Sequence, residues 1–252
     1  MISKTGIRKI ILSAMTIISS LALTACPKGP QYSEEEKDDY NEMGQVVMEE
    51  WMENYYPEGR IIESEPYSFM YPSGPYYLTD FVNGTMFDGE KEREFSVNIA
   101  TGDVTLEPDE EMWEEFQECA RELYLESMDF DKDCEIKDFS ASVYYDVLSV
   151  SGKKGSWADS GFIAVGLPGE LVAEKGDVQA FVRDPERGCL LQVYGWITVP
   201  DSVDLSRYSP EDIEKRQEKY GLVYSGLEVF NNNEHLGRTR YERLDKAETE
   251  QE

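Results

Sequence analysis

Histidine, cysteine and basic residues are scarce in this 252-residue chain, and each shortage excludes a class of chemistry. The sole histidine, His235, lies in the polar stretch NNNEHLGRTR, which is poorly suited to holding an imidazole in place. Ser-His and Cys-His nucleophiles need such a base within hydrogen-bond reach. The cysteines lack CxxC spacing, so they form no usual zinc-binding pattern. The motifs therefore predict no catalytic residue, no metal site and no cofactor.

Positive charge is also in short supply, because 24 Lys and Arg residues stand against 52 Asp and Glu residues. The formal net charge is −28. General nucleic-acid binders and proteins of anionic lipid surfaces use a positive surface to displace counterions, so both classes are excluded. A cationic or metal-rich partner remains open. The favoured alternative is an acidic surface that keeps an exported protein soluble.

Long apolar runs are missing after the N-terminal segment. Residues 10–23 form a weakly polar to apolar run, preceded by Lys4, Arg8 and Lys9. This run is shorter than the ~20 residues that a permanent membrane-spanning helix needs. A basic region followed by a short apolar run is typical of a secretory signal.

The segment ends in Leu23, Thr24, Ala25 and Cys26, which resembles the lipobox of bacterial lipoproteins. The resemblance implies that residues 1–25 are a signal peptide and that Cys26 receives acyl chains such as palmitate. The protein is then expected on the extracytoplasmic face of the cell membrane, which it contacts through its N-terminal lipid. In the alternative, an ordinary secretory cleavage leaves Cys26 unmodified. The whole chain is similar to surface lipoproteins of Gram-positive bacteria.

The residues after Cys26 read as a spacer. Pro27 and Gly29 predict an extended chain, and the charge run SEEEKDDY predicts a solvated segment instead of core. We therefore predict a flexible tether over residues 26–37.

Apolar residues at three- and four-residue steps indicate helices. The first is predicted over residues 38–55, and the second begins near Pro108, where acidic residues meet the positive end of the helix dipole. A third helix is predicted from Ser209, and a polar, frayed tail over residues 231–252. The buried stripe of the second helix is predicted to be Met112, Trp113, Phe116, Cys119, Ala120, Leu123 and Tyr124.

Short apolar and alternating runs predict strands between these helices. In the first half, the pair Asn83-Gly84 is typical of a hairpin turn. Thr101-Gly102 predicts a second turn. In the second half, the predicted strands include residues 177–182. The order of elements predicts an α+β fold in which helices pack on antiparallel sheets.

The segment 38–107 contains a helix, YPEGRII, YYLTDFVNGTMFDGE and FSVNIATGDVTL, and it resembles PepSY and other cystatin-like modules of exported bacterial proteins. The resemblance implies a helix on antiparallel strands and a non-catalytic binding or inhibitory module, without residue roles. Residues 108–230 repeat the order of a helix followed by strands. Two cystatin-like units are expected, and a single mixed domain is the alternative.

One disulfide is expected outside the cell. Cys119 and Cys134 are the favoured pair, because a short loop separates the second helix from the strand after it. Cys189 then remains as a thiol. Cys134 also lies in DFDKDCE, whose aspartates suggest calcium, but the sequence favours a solvated connection there.

Aromatic residues supply the candidate binding surface. Tyrosine combines apolar area with a hydrogen-bonding tip, which suits contact with proteins or glycans. In the alternative, these rings line the sheet core, and the tryptophan of the SGKKGSWADSG loop folds back on the core. The candidates are Tyr67, Tyr71, Tyr76, Tyr77 and Trp157.

The expected function is therefore that of a membrane-anchored lipoprotein that binds an envelope protein or glycan without catalysis. The alternative is a carboxylate-based hydrolase of envelope polymers, because its two acidic residues need not be close in sequence.

Overall fold

A computed structural model describes residues 33–70, 76–129, 135–146, 161–198, 215, 219–231 and 234–239. This part of the chain contains helices and two five-stranded sheets, which confirms the α+β class. None of its helices combines the length and apolar character that crossing a bilayer requires. The helices are α1 (Glu34–Tyr55), α2 (Glu110–Met128), α3 (Gly169–Ala173) and α4 (Val178–Arg183).

The first sheet contains the strands of the first half and one short strand from the second half. They are β1 (Arg60–Met70), β2 (Tyr76–Phe87), β3 (Glu92–Asn98), β4 (Val104–Leu106) and β7 (Leu167–Pro168). Their order is β1-β2-β3-β4-β7, and all neighbours are antiparallel. The predicted turn at Thr101-Gly102 is confirmed between β3 and β4, where the Gly102 N–H bonds to the Asn98 carbonyl at 2.7 Å.

The second sheet has the order β10-β9-β8-β5-β6. It comprises β5 (Glu135–Asp146), β6 (Gly161–Ile163), β8 (Leu190–Thr198), β9 (Leu222–Asn231) and β10 (Glu234–Thr239). The pair β8–β9 is parallel, unlike the antiparallel arrangement expected for the sheet. A parallel pair requires a long crossover, and the chain between Thr198 and Leu222 is long enough for one.

Helix α1 begins earlier than the sequence indicated. The Ser33 hydroxyl accepts a hydrogen bond from the Glu36 N–H at 3.1 Å, and the Glu36 carboxylate accepts one from the Ser33 N–H at 2.8 Å. This capping box satisfies two backbone donors at once. The prediction of a solvated spacer as far as residue 37 is therefore wrong, because residues 34–37 form the first turn of α1.

Helix α1 covers one face of the first sheet. A side chain at Gly44 would collide with Val82, so the absence of one allows helix and strand to approach closely. Beside this contact, the Gln45 amide donates to the Ser64 hydroxyl at 2.9 Å. Met48 is completely buried in the same layer. The hydrophobic core of the first half therefore lies between α1 and this face of the sheet.

The second sheet packs on part of the opposite face. Phe81 of β2 stacks on Phe162 of β6 with ring centroids 4.2 Å apart. Nearby, the Ser96 hydroxyl accepts a hydrogen bond from the Val165 N–H at 3.2 Å. Elsewhere on this face, Glu63 and Glu65 of β1 and Glu94 of β3 are exposed.

Helix α2 confirms four of the seven predicted members of the buried stripe. Phe116, Ala120, Leu123 and Tyr124 are buried, whereas the other three members are only partly buried. The helix is tied to the second sheet by the Gln117 amide, which donates to the Ala141 carbonyl at 2.9 Å and accepts from its N–H at 2.8 Å.

The hairpin predicted at Asn83-Gly84 is wrong. Both residues lie inside β2 and pair with β1 on one side and β3 on the other. The turn between β2 and β3 comes later, where the Asp88 carboxylate accepts hydrogen bonds from the N–H groups of Glu90 and Lys91. Pairing with two neighbouring strands outweighs a local turn preference.

Three other predictions concern the second half. Residues 177–182 were expected as a strand, but Asp177 caps α4 by accepting from the Ala180 N–H at 2.8 Å. The polar tail expected from residue 231 is partly wrong, because β10 pairs with β9 through backbone contacts that require no apolar side chains. The helix predicted from Ser209 lies almost entirely outside the described residues.

A buried ion pair joins the β2–β3 turn to the start of α2. The Arg93 Nε donates to the Asp88 carboxylate at 2.6 Å, and the two side chains are only 9% and 5% exposed. The same guanidinium donates to the Glu107 carbonyl at 2.9 Å and to Asp109 at 3.1 Å. Burial alone raises the pKa of Asp88, but the hydrogen bonds from Arg93 and two backbone N–H groups offset it and hold the pKa below its usual value.

We predict that Arg93→Met destabilises the fold by about 3–5 kcal/mol at pH 7, because it leaves the Asp88 carboxylate buried without its cation. The folded-state pKa of Asp88 is depressed, so its contribution is present above the unfolded value of about 3.9 and is lost as the pH falls below it. The difference between the variant and the parent protein should therefore narrow in acid. Denaturant unfolding at several pH values measures this effect.

Arg121→Met is the matched control, because Arg121 pairs with Glu118 at 3.2 Å on the surface. Its expected cost is about 0–1 kcal/mol. Equal losses in the two variants would contradict a special role for the Arg93 pair.

Candidate functional site

An acidic groove lies on the open part of the first sheet, on the face opposite α1. Its volume is about 360 Å³. Val165 borders it where the second sheet packs against the first. Three neighbouring strands, β1, β2 and β3, supply its main lining residues, which are Glu63, Glu65, Asn83, Thr85 and Glu94. The groove is therefore held by strand pairing and not by a single loop.

Strand register brings these residues together from separate parts of the sequence. Thr85 of β2 pairs with Glu63 of β1 on one side and with Glu94 of β3 on the other. Asn83, two residues earlier in β2, pairs with Glu65 of β1. Directly paired residues place their side chains on the same face. Since neighbouring strands lie about 4.8 Å apart, the backbones at Glu63 and Glu94 are roughly 10 Å apart across β2.

An irregularity in β1 turns its glutamates toward the groove. The register with β2 shifts between Ile61 and Glu63, which leaves Ile62 as an extra residue that is 44% exposed. Such a bulge changes which face the following side chains occupy. Gly84 fits this arrangement, because a side chain there would collide with the Glu63 carbonyl oxygen and the Phe95 ring.

The groove is rich in acceptors. The side chains of Glu63, Glu65 and Glu94 are all exposed, and no basic residue is among the described residues that line it. The Asn83 Oδ1 atom is buried and has no hydrogen-bond donor among the described residues. A buried acceptor usually has a partner. The exposed carboxylates therefore suit a ligand that brings positive charge and N–H donors.

The same geometry fits hydrolysis less well. A general acid of a glycoside hydrolase is shielded by an apolar pocket that keeps its proton at neutral pH. The three glutamates are instead open to solvent. In the described part of the chain, no group of three or more side chains is arranged to hold a metal ion.

The candidate tyrosine surface is only partly described. Tyr67 is partly buried and packs edge-on against Phe162, with ring centroids 4.6 Å apart, as in the core alternative. Tyr76 and Tyr77 are described as backbone positions at the start of β2. Tyr71 and Trp157 lie outside the described residues. Tyr67 therefore contributes to packing between the sheets.

The cysteine predictions remain predictions. Cys26 and Cys134 lie outside the described residues, so neither lipidation nor the Cys119–Cys134 bond is tested. Cys119 and Cys189 are not bonded to each other. Burial raises the pKa of the Cys189 thiol to about 11, and it also raises the pKa of Cys119. Such thiols stay protonated and react slowly at neutral pH.

Sequence reasoning missed the groove residues. The alternation in IIESEPY was a usable indication that Glu63 and Glu65 share a face. Asn83 was interpreted as a turn residue, and nothing in the sequence linked Glu94 to the other two glutamates. No family model, curated protein or solved structure matches the chain.

We predict that Gly84→Ala destabilises the protein by about 1–3 kcal/mol, because the new methyl group has to displace the Glu63 carbonyl or the Phe95 ring. Chemical denaturation of the purified chain measures the loss. Gly176→Ala is the matched control, since its nearest neighbour is the flexible end of Leu171. A loss at residue 84 no larger than the loss at residue 176 would refute the close approach of β1 to β2.

Proposed function

We propose that this protein is a membrane-anchored, extracytoplasmic lipoprotein whose folded part binds an envelope protein or glycan and catalyses no reaction. The lipobox at residues 23–26 carries the proposal, because it follows a basic region and an apolar run in the required order. Each buried CH₂ of an acyl chain contributes about 0.8 kcal/mol, so two or more chains make a stable attachment.

The start of α1 supports a short connection to the membrane. The capping box at Ser33 leaves only residues 27–32 between Cys26 and the folded part. At full extension, this linker spans roughly 20 Å. The groove is then expected to face partners in the layer next to the membrane.

The form of the groove supports binding over catalysis. Its carboxylates come from paired strands of one sheet, so their spacing is set before a partner arrives. Pre-organised polar groups favour recognition because little ordering is needed on binding. Their exposure argues against the shielded acid of the alternative, a carboxylate-based hydrolase.

We predict that Cys26→Ser releases the protein from the membrane fraction of its native host, because serine cannot carry the thioether-linked lipid. Detergent phase partitioning and intact-mass analysis measure the change. Cys119→Ser is the control, since Cys119 lies in α2 and should leave attachment unaffected. Membrane attachment of the Cys26 variant equal to that of the parent would refute the lipoprotein assignment.

Binding and hydrolysis are distinguished with isolated envelope material. We expect the purified protein to co-sediment with cell-wall polymers or their attached proteins and to release no soluble fragments. Fragment release that is lost in a Glu63→Gln/Glu94→Gln variant would instead establish the hydrolase. Absence of both co-sedimentation and cross-linked partners in the host would refute the binding role.

A further inference from the structure

We infer that the groove and the adjoining edge of β1 bind an extended, lysine- or arginine-containing segment of a partner polypeptide. The inference rests on the proposed binding function and specifies its partner.

The edge of β1 supplies the backbone part of this surface. In the described part of the chain, β2 is the sole strand neighbour of β1. The other side of an edge strand presents N–H and C=O groups that an added strand can pair with. Main-chain pairing gives such a contact affinity for extended segments of many sequences.

Charge on the groove face supplies the selectivity. Glu63 and Glu65 alternate along β1, so both side chains point to the groove face of an added strand. Residues directly opposite each other in neighbouring strands have Cβ atoms about 5 Å apart. Lysine or arginine at those positions forms ion pairs, whereas aspartate or glutamate is repelled.

The same charges disfavour a second copy of this chain as the occupant. An antiparallel self-pairing centred on Ser64 would place Glu63 of each copy opposite Glu65 of the other. Like charges directly opposite each other destabilise a strand pair. A net charge of −28 adds long-range repulsion between copies.

The irregular places in β1 define where pairing occurs. The register with β2 shifts between Ile61 and Glu63 and again between Pro66 and Ser68. Between these shifts, residues 63–66 pair regularly with β2, and Pro66 lacks an N–H group. A short segment is therefore expected to bind, with its basic side chains opposite the two glutamates.

The rest of the groove accepts the ends of those basic side chains. Asn83 and Thr85 lie one strand further in, and Glu94 lies beyond them on β3. The carboxylate of Glu94 is exposed and can accept from such a side chain. A long ammonium or guanidinium side chain that crosses β1 brings both charge and N–H donors to this wall.

The test measures fluorescence anisotropy of a labelled short peptide of alternating lysine and valine, which places all lysines on one face of a strand. We expect binding to the purified chain and none for the matched peptide of glutamate and valine. Glu63→Gln/Glu65→Gln should weaken binding roughly tenfold, as the loss of two ion pairs implies. A lysine peptide N-methylated at alternate residues should also bind at least about tenfold more weakly, because it cannot complete the ladder.

Glu49→Gln/Glu53→Gln is the matched control. Both residues are exposed on α1, on the far side of the first sheet, and the net charge changes by the same amount. We expect binding within about twofold of the parent, since distant exposed charges are screened by salt. Circular dichroism establishes that both double variants are folded.

Each of the following results would overturn the inference. Equal weakening by the two double variants would show a diffuse attraction between a basic peptide and an acidic protein. Unchanged binding of the N-methylated peptide would show that strand pairing is not involved.

Co-sedimentation with native envelope material separates this inference from the proposed function. If the Glu63/Glu65 variant co-sediments like the parent, only the inference fails. The proposed function fails as well if the parent neither co-sediments nor cross-links to a partner in the host.

Discussion

The central constraint on this fold is that residues 82–87 of β2 pair with β1 on one side and with β3 on the other, while other elements pack on parts of both faces. On one face, the missing side chain of Gly44 lets α1 approach Val82, and on the other, Phe81 stacks on Phe162. Because Asn83 and Gly84 pair with a strand on each side, the chain does not form a hairpin turn there, although these two residues favour one. The groove lies where the face of β2 opposite α1 is not covered by the described strands of the second sheet.

Local sequence patterns predicted the elements whose conformation depends on neighbouring residues. The stripe of α2 was visible because its buried residues recur at helical spacing, and Phe116, Ala120 and Leu123 confirm it. The turn at Thr101-Gly102 could be predicted because turns often need a positive φ, which glycine adopts easily. Gly102 has a φ of 83°. These features can be predicted from neighbouring residues alone.

Other features depend on contacts between distant residues, and sequence reasoning failed there. The run over residues 177–182 is short and apolar, so helix and strand could not be separated by periodicity, although Asp177 offered a helix cap. The groove was hidden for a different reason. Its glutamates come from β1 and β3 and become neighbours only through register with β2.

The short strand β7 has a consequence for how the chain folds. It belongs to the second half of the sequence, yet it completes the first sheet by pairing with β4. Because the chain becomes available for folding from its N-terminal end, α1 and β1–β4 can associate while the β4 edge still lacks its partner. The partly formed sheet then carries an unpaired β4 edge until β7 arrives, and a chaperone that shields this edge would act during that interval.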